Sequence, residues 1–322
     1  MTKKIKYLKI STPSVIFFSL LLTISSFYSG ISYYKNKTGT IQGEDTTQFV
    51  FSPEKSEKPE LQFFVMSFCP YGNQIEDVIR PIADLLGDKA DIKPQYIFNK
   101  IAQIDTYCKS SSGDPDQCAS YVQSGYFKDE SECQTVIADN LKSCLDTNNY
   151  IKTEDGSYYS SLHGRSEANQ NIREICAWNQ TDDKTKWWNF IDNVNKNCTY
   201  QNADTCWEEQ AKQADFDTNK ITDCFTNDAI AIIEKELEQT NKYNVSGSPT
   251  LLINGINFPP ESAYAQDGKG SIKIDKKVIS QDEYRTPNTI KEAICASFKK
   301  TPKECKEILE NIDGSAPAAG GC

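Results

Sequence analysis

The chain has 322 residues, 12 cysteines, one histidine and a formal net charge of −10. An acidic chain with no basic cluster beyond its first lysines is a poor match for nucleic acid, which is bound through clustered Lys and Arg. With one histidine and no C-x-x-C pair it also lacks the closely spaced ligand pairs of a structural zinc site, so no metal is expected and the thiols point to disulfides formed in an oxidising compartment.

Lys3, Lys4, Lys6 and Lys9 precede an uncharged run, Ile10 to Tyr34, rich in Ile, Leu, Phe and Ser. Its length meets the roughly 20 residues a bilayer crossing needs. No clean small-x-small cleavage site follows, so residues 1–36 read as a signal anchor. It is expected to be a single transmembrane helix through 10–34, with the lysine-rich end cytoplasmic and the rest extracytoplasmic or luminal. Residues 37–59 are polar and lack an apolar period, as a linker does.

Residues 60–98 read as strand, helix, strand. Leu61 to Met66 is a short apolar run suited to a buried strand. After Cys69 the apolar residues recur as Ile75, Val78, Ile79, Ile82, Leu85 and Leu86, at helical spacing. Pro70 suits a first helical turn, where its missing N–H costs nothing, and Pro81 should kink the helix. The second strand is Ile92 to Phe98, and a βαβ unit of this length implies a right-handed crossover with a parallel pair. Cys69 thus reads as an exposed thiol at a helix N-terminus, where the dipole and unpaired N–H groups favour thiolate.

Residues 99–243 hold eight of the cysteines and mostly helical patterns with little strand character. Cys133 and Cys144 fall in a segment free of Gly and Pro. Eleven residues along one helix put them about 16 Å apart, too far to bond each other, so they should staple that helix to its neighbours. The aromatics Trp187, Trp188 and Phe190 are most simply core, and no cofactor is called for. From 244 the strand pattern returns. Ser248-Pro249-Thr250 opens a strand to Ile253, Asn254-Gly255 is a hairpin turn, and Ile256 to Phe258 is the returning strand. A loop rich in charge and glycine follows to about Glu283. Helices are expected over 287–299 and 302–312, and 313–322 reads as a disordered tail.

Strand, Cys69-Pro70-Tyr71-Gly72 and helix resemble the active site of the thioredoxin superfamily. The fold class implied is α/β, a thioredoxin-like fold split by a disulfide-rich helical insertion and preceded by one N-terminal transmembrane helix. The resemblance implies a cis-proline at Pro249 beside the active cysteine, where a substrate adds as a strand. It casts Cys69 as the attacking sulfur, with Pro70 and Tyr71 shaping the helix start. Gly72, Ser248 and Thr250 would line the substrate groove. Gly72 departs from the pattern, since a dithiol enzyme carries its second cysteine there.

The insertion has its own relatives. His163-Gly164-x-x-Glu167-x3-Asn171-x4-Cys176 resembles the signature of gamma-interferon-inducible lysosomal thiol reductases, with Ser161 and Ala168 in place of two cysteines. His163, inside that signature, reads as a turn or packing residue. A broader resemblance, to the cysteine-rich luminal segment of plant vacuolar sorting receptors, spans residues 163–305. It runs from Gln170 to Cys176 through Trp187-Trp188, Cys198, Cys206, Cys224, Pro249 to Asn254, Tyr284-Arg285 and Cys295 to Cys305. Those receptors bind ligands and are not enzymes.

Two functions follow. In one, Cys69 performs monothiol reductase or isomerase exchange with protein or peptide thiols and disulfides. In the other, the groove is a redox-silent peptide-binding site. If Cys322 is free, Cys108, Cys118, Cys133, Cys144, Cys176, Cys198, Cys206, Cys224, Cys295 and Cys305 make five bridges and leave Cys69 unpaired. A bridge from Cys69 to any other cysteine would instead mark a redox pair with a distant resolving partner.

Overall fold

The computed structural model describes residues 48–148 and 151–312; the expected anchor at 1–36 and the tail at 313–322 lie outside them. The chain runs β1 (Gln48–Phe51), β2 (Glu60–Val65), α1 (Pro70–Leu86), β3 (Asp91–Tyr96), β4 (Asn99–Ile101), α2 (Ile104–Ser112), α3 (Cys118–Gln123) and α4 (Glu130–Asn148). It continues through β5 (Ile151–Lys152), β6 (Tyr158–Ser160), α5 (Arg165–Gln180), α6 (Lys184–Asn197), α7 (Ala203–Gln213) and α8 (Thr218–Tyr243). It closes with β7 (Thr250–Ile253), β8 (Ile256–Asn257), β9 (Ser271–Ile274), β10 (Lys277–Ser280) and α9 (Pro287–Ala296).

The central sheet has the order β3-β2-β7-β8. β2 pairs in parallel with β3 and antiparallel with β7, Phe63 standing opposite Pro94 and Leu251. Leu61, Phe63, Phe64 and Val65 are all wholly buried, because helices cover both faces of the sheet and alternation disappears from such a strand. Leu61, Phe63 and Val65 face the main core, where Phe63 stacks on Trp188 at 5.8 Å. Phe64, on the other face, belongs to a small cluster with Met66, Cys69, Ile97 and Leu252. β7 and β8 turn at Asn254 and Gly255, both with positive φ, as a two-residue hairpin that matches strand twist requires. This βαβ and ββα frame is thioredoxin-like, interrupted by a disulfide-rich helical part.

That helical part is welded to the frame. Trp187 and Trp188 of α6 are buried against the sheet, and Arg80 of α1 pairs with Asp192 and donates to Asn189 of α6. Disulfides Cys108–Cys144 and Cys118–Cys133 tie α4 to α2 and α3. Cys176–Cys224 joins α5 to α8, and Cys198–Cys206 closes the α6–α7 turn.

Four expectations need correction. The segment read as a linker is folded from Gln48 onward: β1 pairs in parallel with β9, and Phe51 packs edge-on against Phe258 at 4.7 Å. The segment from Pro259 to Glu283, read as a loop, contains the β9–β10 hairpin. The insertion carries a small β4-β6-β5 sheet. The helix expected over 302–312 is a single turn, Lys303–Lys306. Its continuing backbone bonds to α9 instead of to itself: Lys291 donates to the Glu307 carbonyl, and Asn288 both accepts from the Leu309 amide (2.9 Å) and donates to its carbonyl (2.9 Å).

Candidate functional site

β2 ends at Val65, and the next four residues lead into α1 as a tight, buried loop. Cys69 is the N-cap of α1 in extended conformation, with its amide donating to the Met66 carbonyl at 3.0 Å. Pro70 occupies the first helical turn and is exposed, while Tyr71 is half-buried beside Cys69. The Cys69 Sγ lies 3.6 Å from the Ser248 carbonyl oxygen, and the Ser248–Pro249 peptide is cis. The frame thus brings Cys69, Tyr71, Gly72, Ser248 and Pro249 together. Thr250 starts β7 opposite Phe64, and its hydroxyl donates to the Gly247 carbonyl at 2.8 Å.

Two expectations change here. Cys69 is 0% exposed, packed among Phe64, Met66, Ile97 and Leu252, rather than an exposed thiol. It is also disulfide-bonded, not an unpaired cysteine. Gly72 explains itself sterically. A Cβ there would stand 2.8 Å from Ser248 Oγ and 3.3 Å from the Met66 carbonyl oxygen. Ser248 Oγ is itself held in place by accepting the Met66 amide at 3.3 Å. Ser248 fills the space a side chain at position 72 would need.

The loop before Cys69 is held from the insertion. Asn171 Oδ1 accepts both the Ser67 amide (3.0 Å) and the Ser67 hydroxyl (2.7 Å). Glu167 Oε1 accepts the Phe68 amide at 3.0 Å. Glu167 also takes the His163 amide on Oε2 (2.8 Å) and faces His163 Nδ1 at 2.9 Å. Glu167 and Asn171 are one helical turn apart on α5, so their side chains share a face. That hydrogen bond to Glu167 raises the His163 pKa above its ordinary value, and the ring stacks on Tyr200. His163 therefore acts on the loop through Glu167.

Over residues 83–261, more than half of the chain, the sequence matches the profile of the vacuolar sorting receptor thioredoxin-like domain. The chain belongs to that family. No curated protein matches it. Among solved structures it is similar to the reduced disulfide bond oxidoreductase DsbG of Mycobacterium tuberculosis (13% identity, 79% of this chain and 86% of that chain, TM-score 0.39). It is also similar to oxidised DsbA of the same organism (12% identity, 78% and 94%, TM-score 0.39). A third is oxidised BdbD of Bacillus subtilis (10% identity, 67% and 91%, TM-score 0.36).

In this family member three buried carboxyls lie behind the loop. Glu174 on α5 accepts the Tyr96 hydroxyl at 2.6 Å and Gln170 Nε2 at 2.9 Å, yet burial dominates and raises its pKa to about 7. Glu236 on α8 accepts the Tyr96 amide at 2.7 Å, and burial lifts it to about 7. Burial, then the nearby Glu174, pushes Glu76 of α1 well above the usual carboxylate range. Sequence reading picked out Cys69 and Ser248 but missed Glu167 and Asn171 as supports of the loop. Their only trace was the signature spacing. No cluster of metal-ligating side chains occurs among the described residues.

Proposed function

We propose that this chain is a membrane-anchored, extracytoplasmic protein that carries out thiol–disulfide exchange through Cys69. The observation that carries the reading is Cys69 itself. It caps α1, lies 3.6 Å from the Ser248 carbonyl oxygen, and already forms a disulfide that its own helix motif cannot supply. Once an external thiol has reduced that disulfide, the Cys69 thiolate, favoured by the helix N-terminus, attacks one sulfur of a substrate disulfide. The Cys69–substrate bond forms as the substrate S–S bond breaks, and the second substrate sulfur leaves as thiolate. The mixed disulfide is resolved by a thiol elsewhere, because Gly72 carries none. The helix motif itself is thus monothiol, of the reductase or isomerase type, and because Cys69 is disulfide-bonded the resolving sulfur lies outside that motif. The signature His163-Gly164-Glu167-Asn171, which resembles that of the lysosomal thiol reductases, supports it by holding Ser67 and Phe68. Turnover of a scrambled-disulfide protein should vanish in Cys69→Ser, and unchanged turnover would refute the assignment.

A second reading, redox-silent peptide binding, is favoured by the complete burial of Cys69. It requires that peptide affinity survive Cys69→Ser while no mixed disulfide forms in the wild type. Anchoring through residues 10–34 rests on their apolar run. Alkaline carbonate should leave the full chain with membranes and release a variant lacking residues 1–36; release of both would exclude the anchor.

A further inference from the structure

Three Asn-x-Ser/Thr sequences fall within the described residues, at Asn179, Asn197 and Asn244. On the extracytoplasmic or luminal side such asparagines are acceptors for N-linked glycans. The fold separates the three. Asn197 Nδ2 already donates twice, to the Asn193 carbonyl at 2.9 Å and to Gln210 Oε1 at 3.1 Å. It lies beside the turn closed by Cys198–Cys206, and the Thr199 hydroxyl donates to Asn202. Asn179 belongs to the last turn of α5, and the Thr181 hydroxyl accepts the Asp183 amide at 3.1 Å. Asn244 and Ser246 are both exposed, and among the described residues no hydrogen bond engages the side chain of either.

We propose that Asn244 is an acceptor for an N-linked glycan, and that the sugar stands at the rim of the Cys69 groove and screens it from bulky partners. The inference rests on the reading of Cys69 as an extracytoplasmic exchange centre and adds what governs access to it.

The chain leaves α8 at Asn244 in left-handed conformation, φ 52° and ψ 43°, and runs on to the cis peptide at Ser248. Asparagine tolerates that conformation, which accounts for the residue type at 244. It does not account for an exposed serine two positions on. Tyr243 and Val245, on either side, pack against the cluster that holds Cys69, with Tyr243 edge-on to Phe64 at 6.3 Å. Asn244 is four positions from Ser248, whose carbonyl oxygen is 3.6 Å from Cys69 Sγ. That much chain spans at most about 14 Å, so a bulky sugar rooted at 244 covers the Ser248 side of the groove.

In the transfer, the Asn244 side-chain nitrogen attacks the anomeric carbon of a lipid diphosphate-linked oligosaccharide. The new N–C bond forms as the bond from that carbon to the diphosphate oxygen breaks. The amide gives up one proton, the lipid diphosphate leaves, and nothing is oxidised or reduced. One N–H stays on the nitrogen, so at Asn197 the same step would break one of its two hydrogen bonds.

The test uses the full chain, produced in eukaryotic cells that hold this donor. Mass spectrometry is expected to find glycan on the Asn244 peptide, sensitive to peptide N-glycosidase and lost in Ser246→Ala. An unmodified Asn244 in a chain whose five bridges have formed would overturn the proposal and leave the extracytoplasmic reading standing. An unmodified Asn244 in a chain with reduced cysteines would overturn both. After mild reduction of the folded protein, Asn244→Gln should raise labelling of Cys69 by a polymer-linked maleimide by about threefold or more, with labelling by a small maleimide unchanged. Equal polymer labelling of the two proteins would overturn the screening and keep the exchange centre. A Cys69 that neither reagent reaches in the folded protein would overturn the screening and the exchange reading together.

Discussion

Ser248 Oγ occupies the space that a side chain on Gly72 would take, 2.8 Å from the position of its Cβ. The two residues lie 176 positions apart on either side of the helical insertion, yet they decide together what α1 can carry at that position. A dithiol motif needs a sulfur at position 72, and a side chain there crowds Ser248 Oγ, which accepts the Met66 amide, and the Met66 carbonyl oxygen.

Gly72→Ala should therefore destabilise the protein, although glycine to alanine inside a helix ordinarily gains about 1 kcal/mol. Overpacking of a closed site costs about 1–3 kcal/mol. Gly72→Cys should cost at least as much, with part recovered by adding Ser248→Gly. Denaturant midpoints check the order; a Gly72→Ala protein more stable than wild type would show that the site yields easily.

Removing the clamp should be as costly. Asn171→Ala strands the buried Ser67 amide and hydroxyl, and Glu167→Ala strands the Phe68 amide. A buried polar group left without its partner costs about 1–3 kcal/mol. Each variant should lower the urea midpoint and speed alkylation of Cys69 in the reduced protein. Loss of stability without any change in Cys69 alkylation would confine Glu167 and Asn171 to packing.

Stability should fall as pH rises from about 5 to about 7.5. Glu174 and Glu236 are raised from 4.5 to about 7 by burial. Between those values the folded chain holds protons that the unfolded chain has released, so deprotonation favours unfolding. His163, also raised, acts in the same direction at the upper end of the window. Carboxyls that are lowered, such as Asp215 and Glu304, exert their opposite effect at more acid pH. Glu174→Gln should flatten the decline measured by denaturation at several pH values; an unchanged slope would mean that Glu174 titrates normally.

The bridges should rank by the chain they enclose. Cys176–Cys224 closes 48 residues and Cys198–Cys206 closes 8, which corresponds to about 4 and about 2.5 kcal/mol of loop entropy. Paired alanine variants should follow that order in denaturant unfolding. The reverse order would show that native packing, not unfolded-chain entropy, governs them.

What could be read in advance follows from locality. β2, Cys69 and α1 declared themselves because an apolar run, a first-turn proline and a helical period stand in sequence, and Asn254-Gly255 declared a hairpin because both residues tolerate positive φ. β1 escaped because a short edge strand exists through a partner far away in the chain, here β9, and the local β9–β10 hairpin escaped because it lies in a stretch rich in charge and glycine. The single turn at Lys303–Lys306 looked like the start of a longer helix because its competitors, Asn288 and Lys291, lie on α9. Glu167 is written like any solvated helical glutamate, and only the fold reveals that it is wholly buried against the Phe68 amide. Burial of Cys69 was hidden for the same reason.

The central claim is that Cys69 is a tuned sulfur and not an inert core thiol. Its most direct test is the rate of alkylation of Cys69 across a pH series after mild reduction of the native protein, with the Cys69 peptide quantified by mass spectrometry. The account predicts that Cys69, once reduced, is alkylated while the protein remains folded, faster than any cysteine of the five mapped bridges. A sulfur that stays unreactive until the protein unfolds would contradict it.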